Sequence, residues 1–373
     1  MDHNLPRLKI GLDNDLTPVY VKDKDRYNSI LVIGKSGTGK SSLLSGFWEQ
    51  DSFYNNARIM IEPSGFLSKE CWSIGKGRGR YCALDSPVSI NPMQQPYNPN
   101  QVVDTVVEAV NQVVRHTTDG ANNSLTAKMR GLLDSGIKWC LERNRKSLLH
   151  VRDYIANMKG DNETRDGIIQ RLNLLLSDDR LIPIICGNHT IEWGEFIQKG
   201  ESLIVDTHGV SSDKAVFWGS LISLGIKSYL RYERPREYRP LNLTVDECHN
   251  YINANFMDLI KEGRKLKLST VLSTQDLALI DEKMARVMLN VGTLIAFRSG
   301  HREAALIAQE LCIPASEIQF LDKYYVAYKT PQATGIAKTP RPPIFKEVPL
   351  NPVKLQPIKT GGWFDLEPLS ISD

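Results

Sequence analysis

The stretch Ile30–Leu44, ILVIGKSGTGKSSLL, constrains the fold more than any other part of the chain. An apolar run reads as a buried strand, the glycine-rich segment as a tight loop, and the residues that follow as a helix. Gly34, Lys35, Ser36, Gly37, Thr38, Gly39, Lys40 and Ser41 fit the spacing G-x-x-x-x-G-K-[ST]. The glycines let successive backbone N–H groups point at the β and γ phosphates of a nucleoside triphosphate. The helix from Ser41 onward adds its positive end. Lys40 supplies a compact charge to the phosphate oxygens, Ser41 a hydroxyl for Mg²⁺, and Ser42 is counted with the phosphate-binding residues. The pattern predicts ATP and Mg²⁺ as cofactors.

Strand-like runs alternate with helical stretches, which predicts an α/β core with a mostly parallel sheet. The strands are expected at Ser29–Ile33, Ala57–Ile61, Arg80–Leu84, Ser202–Asp206, Leu241–Val245, Ser269–Ser273 and Thr293–Phe297, with a closing pair at Tyr324–Tyr328 and Thr334–Ala337. Between the third and fourth, from Asn100 to about Arg180, apolar residues recur at helical spacing. We expect a discontinuous core of residues 1–93 and 190–338, a helical insertion at 94–189, and an extended proline-rich tail at 339–373. Phe345, Val348, Leu350, Trp363 and Phe364 punctuate that tail, which reads equally as a linker or as a segment that docks on a neighbour.

At 373 residues the chain exceeds the usual single-domain size, in keeping with a principal domain and an insertion. Six cysteines without a CxxC pair indicate neither a zinc site nor a disulfide framework. No apolar run is long enough for a membrane span, the best window being Ala215–Ile226, and the first residues lack the layout of a signal peptide. The expected location is cytoplasmic, peripheral to a membrane complex if a partner recruits the chain there. The net charge of +3 permits nucleic-acid binding without requiring it.

A phosphate loop needs a carboxylate at the tip of a buried strand to hold the hydrated metal. LNLTVDE supplies Asp246 for the metal and, beside it, Glu247 to orient and polarise an attacking water. That second carboxylate points to hydrolysis and away from a small-molecule kinase. The strand in LSTVLSTQDL places Gln275 at its tip as a γ-phosphate sensor, with Thr274 as second choice. An arginine reaching a neighbour's γ-phosphate is sought in Arg298, which ends an apolar strand, ahead of Arg264. Lys261, Arg264, Lys265 and Lys267 form a basic run read as close to the active site, either facing a central pore or simply solvated.

Taken in order, GKSGTGKSSL, LTVDECHNY, KEGRKLKLSTVLSTQDL and NVGTLIAFRSGHREAALIAQEL resemble the FtsK–HerA superfamily of P-loop ATPases. Within it they look most like HerA-type helicase/translocases and the ATPases of conjugation and type IV secretion. The resemblance implies a RecA-like core that assembles into a homo-hexameric ring, binds ATP between subunits and pumps double- or single-stranded DNA, occasionally protein. It assigns Lys40 and Ser41 to the phosphate loop, Asp246 and Glu247 to metal and water, Gln275 to the sensor and Arg298 to the trans arginine. The roughly 28 residues before the first expected strand are too few for the β-barrel of HerA proteins. A near-minimal motor is therefore expected, with targeting supplied by a membrane, nuclease or secretion partner or by the tail. The alternative function is a type IV secretion-type ATPase that acts on protein.

Overall fold

The computed structural model describes residues 7–117, 124–159, 162–235 and 237–350. Among them are eleven strands: β1 (Arg7–Asp13), β2 (Pro18–Lys22), β3 (Ile30–Ile33), β4 (Ala57–Glu62), β5 (Arg80–Cys82), β6 (Ser202–Asp206), β7 (Leu241–Val245), β8 (Leu268–Thr274), β9 (Thr293–Ala296), β10 (Tyr325–Lys329) and β11 (Thr334–Lys338). They form one sheet in the order β2-β1-β11-β10-β9-β3-β8-β7-β4-β6-β5. From β9 to β5 the neighbours run parallel. β10, β11, β1 and β2 continue antiparallel.

Parallel strands need crossover helices, which cover both faces and make the strands apolar throughout. Every residue of β3, β4, β7 and β8 is buried accordingly. On one face lie the helices Lys40–Asp51 and Phe66–Ile74, packed through Leu43, Leu44, Phe47, Leu67 and Cys71. Pro99–Thr117, Ser212–Ser228, Ala254–Glu262 and His301–Leu311 serve the other face. The expected mostly parallel α/β core is present.

Two strands precede those expected from the sequence. Leu8 and Ile10 of β1 and Val19 and Val21 of β2 are buried, an alternation suited to antiparallel strands with one face on the core. β1 approaches β11 so closely that a Cβ on Gly11 would lie 2.2 Å from the Lys338 carbonyl oxygen. Just after β2, the Arg26 guanidinium meets Asp51 at 2.7 and 2.9 Å, with both side chains inside the protein. This buried fork ties the approach to β3 to the far end of the helix Lys40–Asp51.

Between β5 and β6, Pro99–Thr117 lies against Ser212–Ser228, and the helices Ala127–Glu142, Leu148–Asn157, Asn162–Leu176 and Ile182–Cys186 follow. Their inner residues, Leu133, Ile137, Val151, Ile155 and Leu172 among them, continue the core that backs the sheet. Thr126 and Ser147 start two of these helices, each accepting a backbone N–H through its hydroxyl oxygen. Beyond β11 residues 339–350 form no helix or strand; the Val348 N–H donates to Ser73 Oγ at 3.1 Å. The rest of the expected tail, with Trp363 and Phe364, lies outside the described residues. Among the described residues no helix is long and apolar enough to cross a membrane.

Candidate nucleotide site

The carboxyl ends of the parallel strands form one edge of the sheet, where α/β folds place ligands. β3 lies between β8 and β9, and its loop is tied to the ends of both. The Gly34 N–H donates to the Thr274 carbonyl at 3.3 Å and the Lys35 N–H to the Arg298 carbonyl at 3.0 Å. Thr38 Oγ1 closes the curl by donating to the Lys35 carbonyl at 2.8 Å. Gly39 has φ +122°, and a Cβ there would stand 2.9 Å from the Tyr324 ring. Glycine is required at that position. By contrast the N–H groups of Ser36, Gly37, Thr38 and Gly39 donate to no acceptor among the described residues. A curl of free donors running into a helix N-terminus is an anion site.

Lys40 is 6% exposed, and its Nζ donates to the Gly34 and Lys35 carbonyls at 2.6 and 3.3 Å. Burial pulls its pKa below the usual lysine value, against the opposing pull of Glu247 and Asp246. Ser41 follows in the first helical turn with its side chain exposed, and Ser42 is half-buried.

Asp246 stands just past β7, its N–H bonded to the Ile61 carbonyl at 2.9 Å. Burial pushes its pKa up to about 6, with the neighbouring carboxylates of Glu247 and Glu62 adding to the rise. Its Oδ1 is buried without a hydrogen bond of ordinary geometry, and the Ser273 hydroxyl beside the carboxylate pulls the pKa back down in part. A buried carboxylate oxygen short of hydrogen bonds suits a hydrated cation. Asp246 and the Ser41 hydroxyl are thus fit to hold Mg²⁺, and the free loop donors and Lys40 to hold the triphosphate.

Glu247 adopts φ +44°, a left-handed conformation that costs a non-glycine residue about 1–2 kcal/mol. The Asn250 backbone N–H and side-chain amide, at 3.0 and 3.1 Å from the Glu247 carbonyl oxygen, hold it there. Its Oε1 accepts from Gln275 Nε2 at 2.5 Å, across from the tip of β8. Its Oε2 faces His249 Nδ1 at 3.6 Å, and that nitrogen also meets Thr274 Oγ1 at 3.3 Å. Burial holds His249 below its usual pKa. The structure therefore brings Lys40, Asp246, Glu247 and Gln275 to one edge, with Thr274 in the second row.

Glu62 was not singled out from the sequence. It ends β4 and is fully buried, its carboxylate accepting from the N–H groups of Ser64, Gly65 and Ser68 and from Ser68 Oγ. The signal, an acidic residue closing an apolar run, is the one that marked Asp246. Here the charge caps the start of the helix Phe66–Ile74.

The arginines separate. Arg298 stands two residues past the end of β9 and its carbonyl holds Lys35, so it borders the loop of its own chain, with its side chain exposed. Arg264 does not join the site. With Lys261, Lys265 and Lys267 it precedes β8, while the site lies beyond the other end of that strand. Eight residues at about 3.3 Å each put Lys267 roughly 25 Å from Gln275. The basic run is on the opposite edge of the sheet, which corrects the expectation that it lies near the active site.

No protein-family profile matches the chain, and no curated protein does. Solved structures do match. VirB4 of Thermoanaerobacter pseudethanolicus superimposes with a TM-score of 0.71 at 15% identity, over 90% of this chain and 97% of that one. The bacterial conjugative coupling protein TrwBΔN70 gives 0.71 at 18% identity, over 91% and 90% of the two chains. TrwB in complex with ADP and Mg²⁺ gives 0.70 at 17% identity, over 91% of each. The fold is thus the RecA-like P-loop fold of these proteins, and the likeness to FtsK–HerA ATPases is borne out at the level of fold.

Proposed function

We propose that this chain is an ATP-hydrolysing motor subunit that assembles into a homo-hexameric ring and translocates DNA. The observation that carries the reading is the 2.5 Å contact between Glu247 and Gln275, beside Asp246 and a phosphate loop with four free donors. A base held by an amide at the tip of the adjacent strand suits a water that is to be oriented and deprotonated. Two similarities support the use: TrwB is described as a conjugative coupling protein, and one of its structures holds ADP and Mg²⁺.

In this reading the loop N–H groups of residues 36–39 and the helix start bind the phosphates. Lys40 leaves the Gly34 and Lys35 carbonyls for phosphate oxygens, and Ser41 and Asp246 hold Mg²⁺, which would neutralise developing charge. Glu247 takes the water proton. Gln275, through its hydrogen bond to Glu247, keeps that carboxylate aimed at the water. Residues 1–93 and 190–338 form the motor core, 94–189 a helical insertion and 339–373 a tail for partners, including those of a membrane complex.

An arginine that serves a neighbour's site must lie away from its own. The geometry supports Arg298 as a group of its own site and Arg264, on the opposite edge, as the better placed to act in trans. A protein cargo, as in secretion-type ATPases, is the second reading, favoured by a net charge of only +3. The test is Glu247→Gln: the purified variant should bind ATP and leave it intact. Undiminished turnover would remove Glu247 from the role of base.

A further inference from the structure

Glu247 has two carboxylate oxygens, and one of them is held. Gln275 Nε2 donates to Oε1 at 2.5 Å, whereas Oε2 is buried and makes no hydrogen bond of ordinary geometry among the described residues. A carboxylate held at one oxygen can swing about that contact, and a base that swings loses its aim at the attacking water. A buried acceptor left open also costs free energy until a donor reaches it. The group that faces Oε2 is His249, with Nδ1 at 3.6 Å.

The chain places this imidazole firmly. His249 lies in the short helix Cys248–Asn250, and Cys248 and Tyr251, which flank the His249–Asn250 pair, are fully buried. The Tyr251 hydroxyl meets Thr207 Oγ1 at 2.5 Å, and Asn250 closes the turn onto the Glu247 carbonyl. The proton on the ring follows from its other neighbour. Thr274 Oγ1 donates its one hydrogen to the Asp276 carbonyl at 3.2 Å, so toward His249 Nδ1, 3.3 Å away, it can only accept. Nδ1 therefore carries a hydrogen, in the neutral ring and in the imidazolium alike. At 3.6 Å its approach to Oε2 falls short of a hydrogen bond, but catalytic contacts are commonly long before the substrate complex forms and tighten in it. Thr274 in turn accepts the Gly34 N–H through its carbonyl, so the tip of β8 is joined to the phosphate loop as well.

We propose that His249 is a positioning residue for the base: its Nδ1–H, shared with Thr274 Oγ1, steadies Glu247 Oε2 while Gln275 holds Oε1. The carboxylate is thereby fixed from both sides by the tip of one strand, directly through Gln275 and by way of His249 from Thr274. Each carboxylate oxygen accepts more than once, so both contacts leave a lone pair for the water's proton. The assignment rests on Glu247 as the base, and the experiment separates the two.

The measurement is ATP turnover by the full chain, in steady state and in single turnover. His249→Ala should lower kcat about tenfold with KM and ATP affinity unchanged. His249→Asn sets an amide nitrogen where Nδ1 stood and should recover most of that loss. His249→Gln carries its amide nitrogen toward the place of Nε2 and should not. In a Glu247→Gln background, where no base remains to be aimed, His249→Ala should cost nothing more in single turnover. Melting curves report whether each variant is folded; if alanine unfolds the chain, the contrast between Asn and Gln decides. Unaltered kcat in a folded His249→Ala protein would overturn the proposal. So would a loss carried by KM, equal turnover in the Asn and Gln variants, or a further loss of the same size in the Glu247→Gln background. Undiminished turnover by Glu247→Gln would sink the base itself, whereas an inactive Glu247→Gln beside an unaffected His249→Ala would sink the positioning role alone.

Discussion

Asp246→Asn should stabilise the nucleotide-free protein while abolishing its chemistry. Burial lifts the Asp246 pKa from the usual 3.8 to about 6. At about 1.4 kcal/mol per tenfold change, ionising this carboxylate in the folded protein costs about 3 kcal/mol at pH 8. The sign follows from the direction. A carboxylate raised on folding contributes stability fully below the unfolded pKa of about 3.8 and loses it as pH rises through about 6. An isosteric amide never ionises and escapes that loss. In a chain of this size about 3 kcal/mol corresponds to roughly 4 °C. The assay is paired thermal melts of wild type and variant, without ATP or Mg²⁺, at pH 8 and pH 4.5. The advantage of the variant should approach 4 °C at pH 8 and shrink to about a third at pH 4.5. Adding Mg²⁺ and ATP should raise the melting temperature of the wild type more than that of the variant, because both keep the phosphate loop but the cation relieves a cost that only the carboxylate carries. A variant no more stable than wild type at pH 8, or an advantage independent of pH, would refute the reasoning.

Gln275→Ala removes the donor to Glu247 and should lower ATP turnover about 10- to 100-fold with nucleotide affinity unchanged, read from steady-state kinetics and a binding titration. Asp51→Ala leaves Arg26 charged and buried without its partner, and urea unfolding should show a loss of about 3–5 kcal/mol. In subunit-mixing assays, Arg264→Ala protein should depress wild-type turnover more steeply than dilution, whereas Arg298→Ala should merely dilute it; the reverse order would return the trans role to Arg298.

What the sequence disclosed depended on whether a signal was local. The phosphate loop, the strands β3 to β11 and the Asp246–Glu247 pair were legible because each is encoded within a few residues: an apolar run, a glycine at a strained turn, a carboxylate at a strand tip. β1 and β2 carry the same kind of signal, with Leu8, Ile10, Val19 and Val21 in alternation. Taken as a segment too short for a barrel, this stretch conceals two strands that extend the sheet beyond β11. Glu62 also closes an apolar run, but its place beside the site is not a local matter. Its neighbour Asp246 is distant in sequence, and only the pairing of β4 with β7 brings them together. Lys267 shows the opposite: it is eight residues from Gln275, but a strand carries the chain from one edge of the sheet to the other. The 2.5 Å bond between Gln275 and Glu247 joins two strand tips that a sequence shows only as separate segments.

The most direct test of the motor itself is ATP turnover by the purified chain, with and without single- and double-stranded DNA, at a concentration where its mass in solution is determined in parallel. A ring-sized assembly whose turnover rises with DNA is the predicted result. A monomer whose turnover ignores DNA of either kind would contradict it.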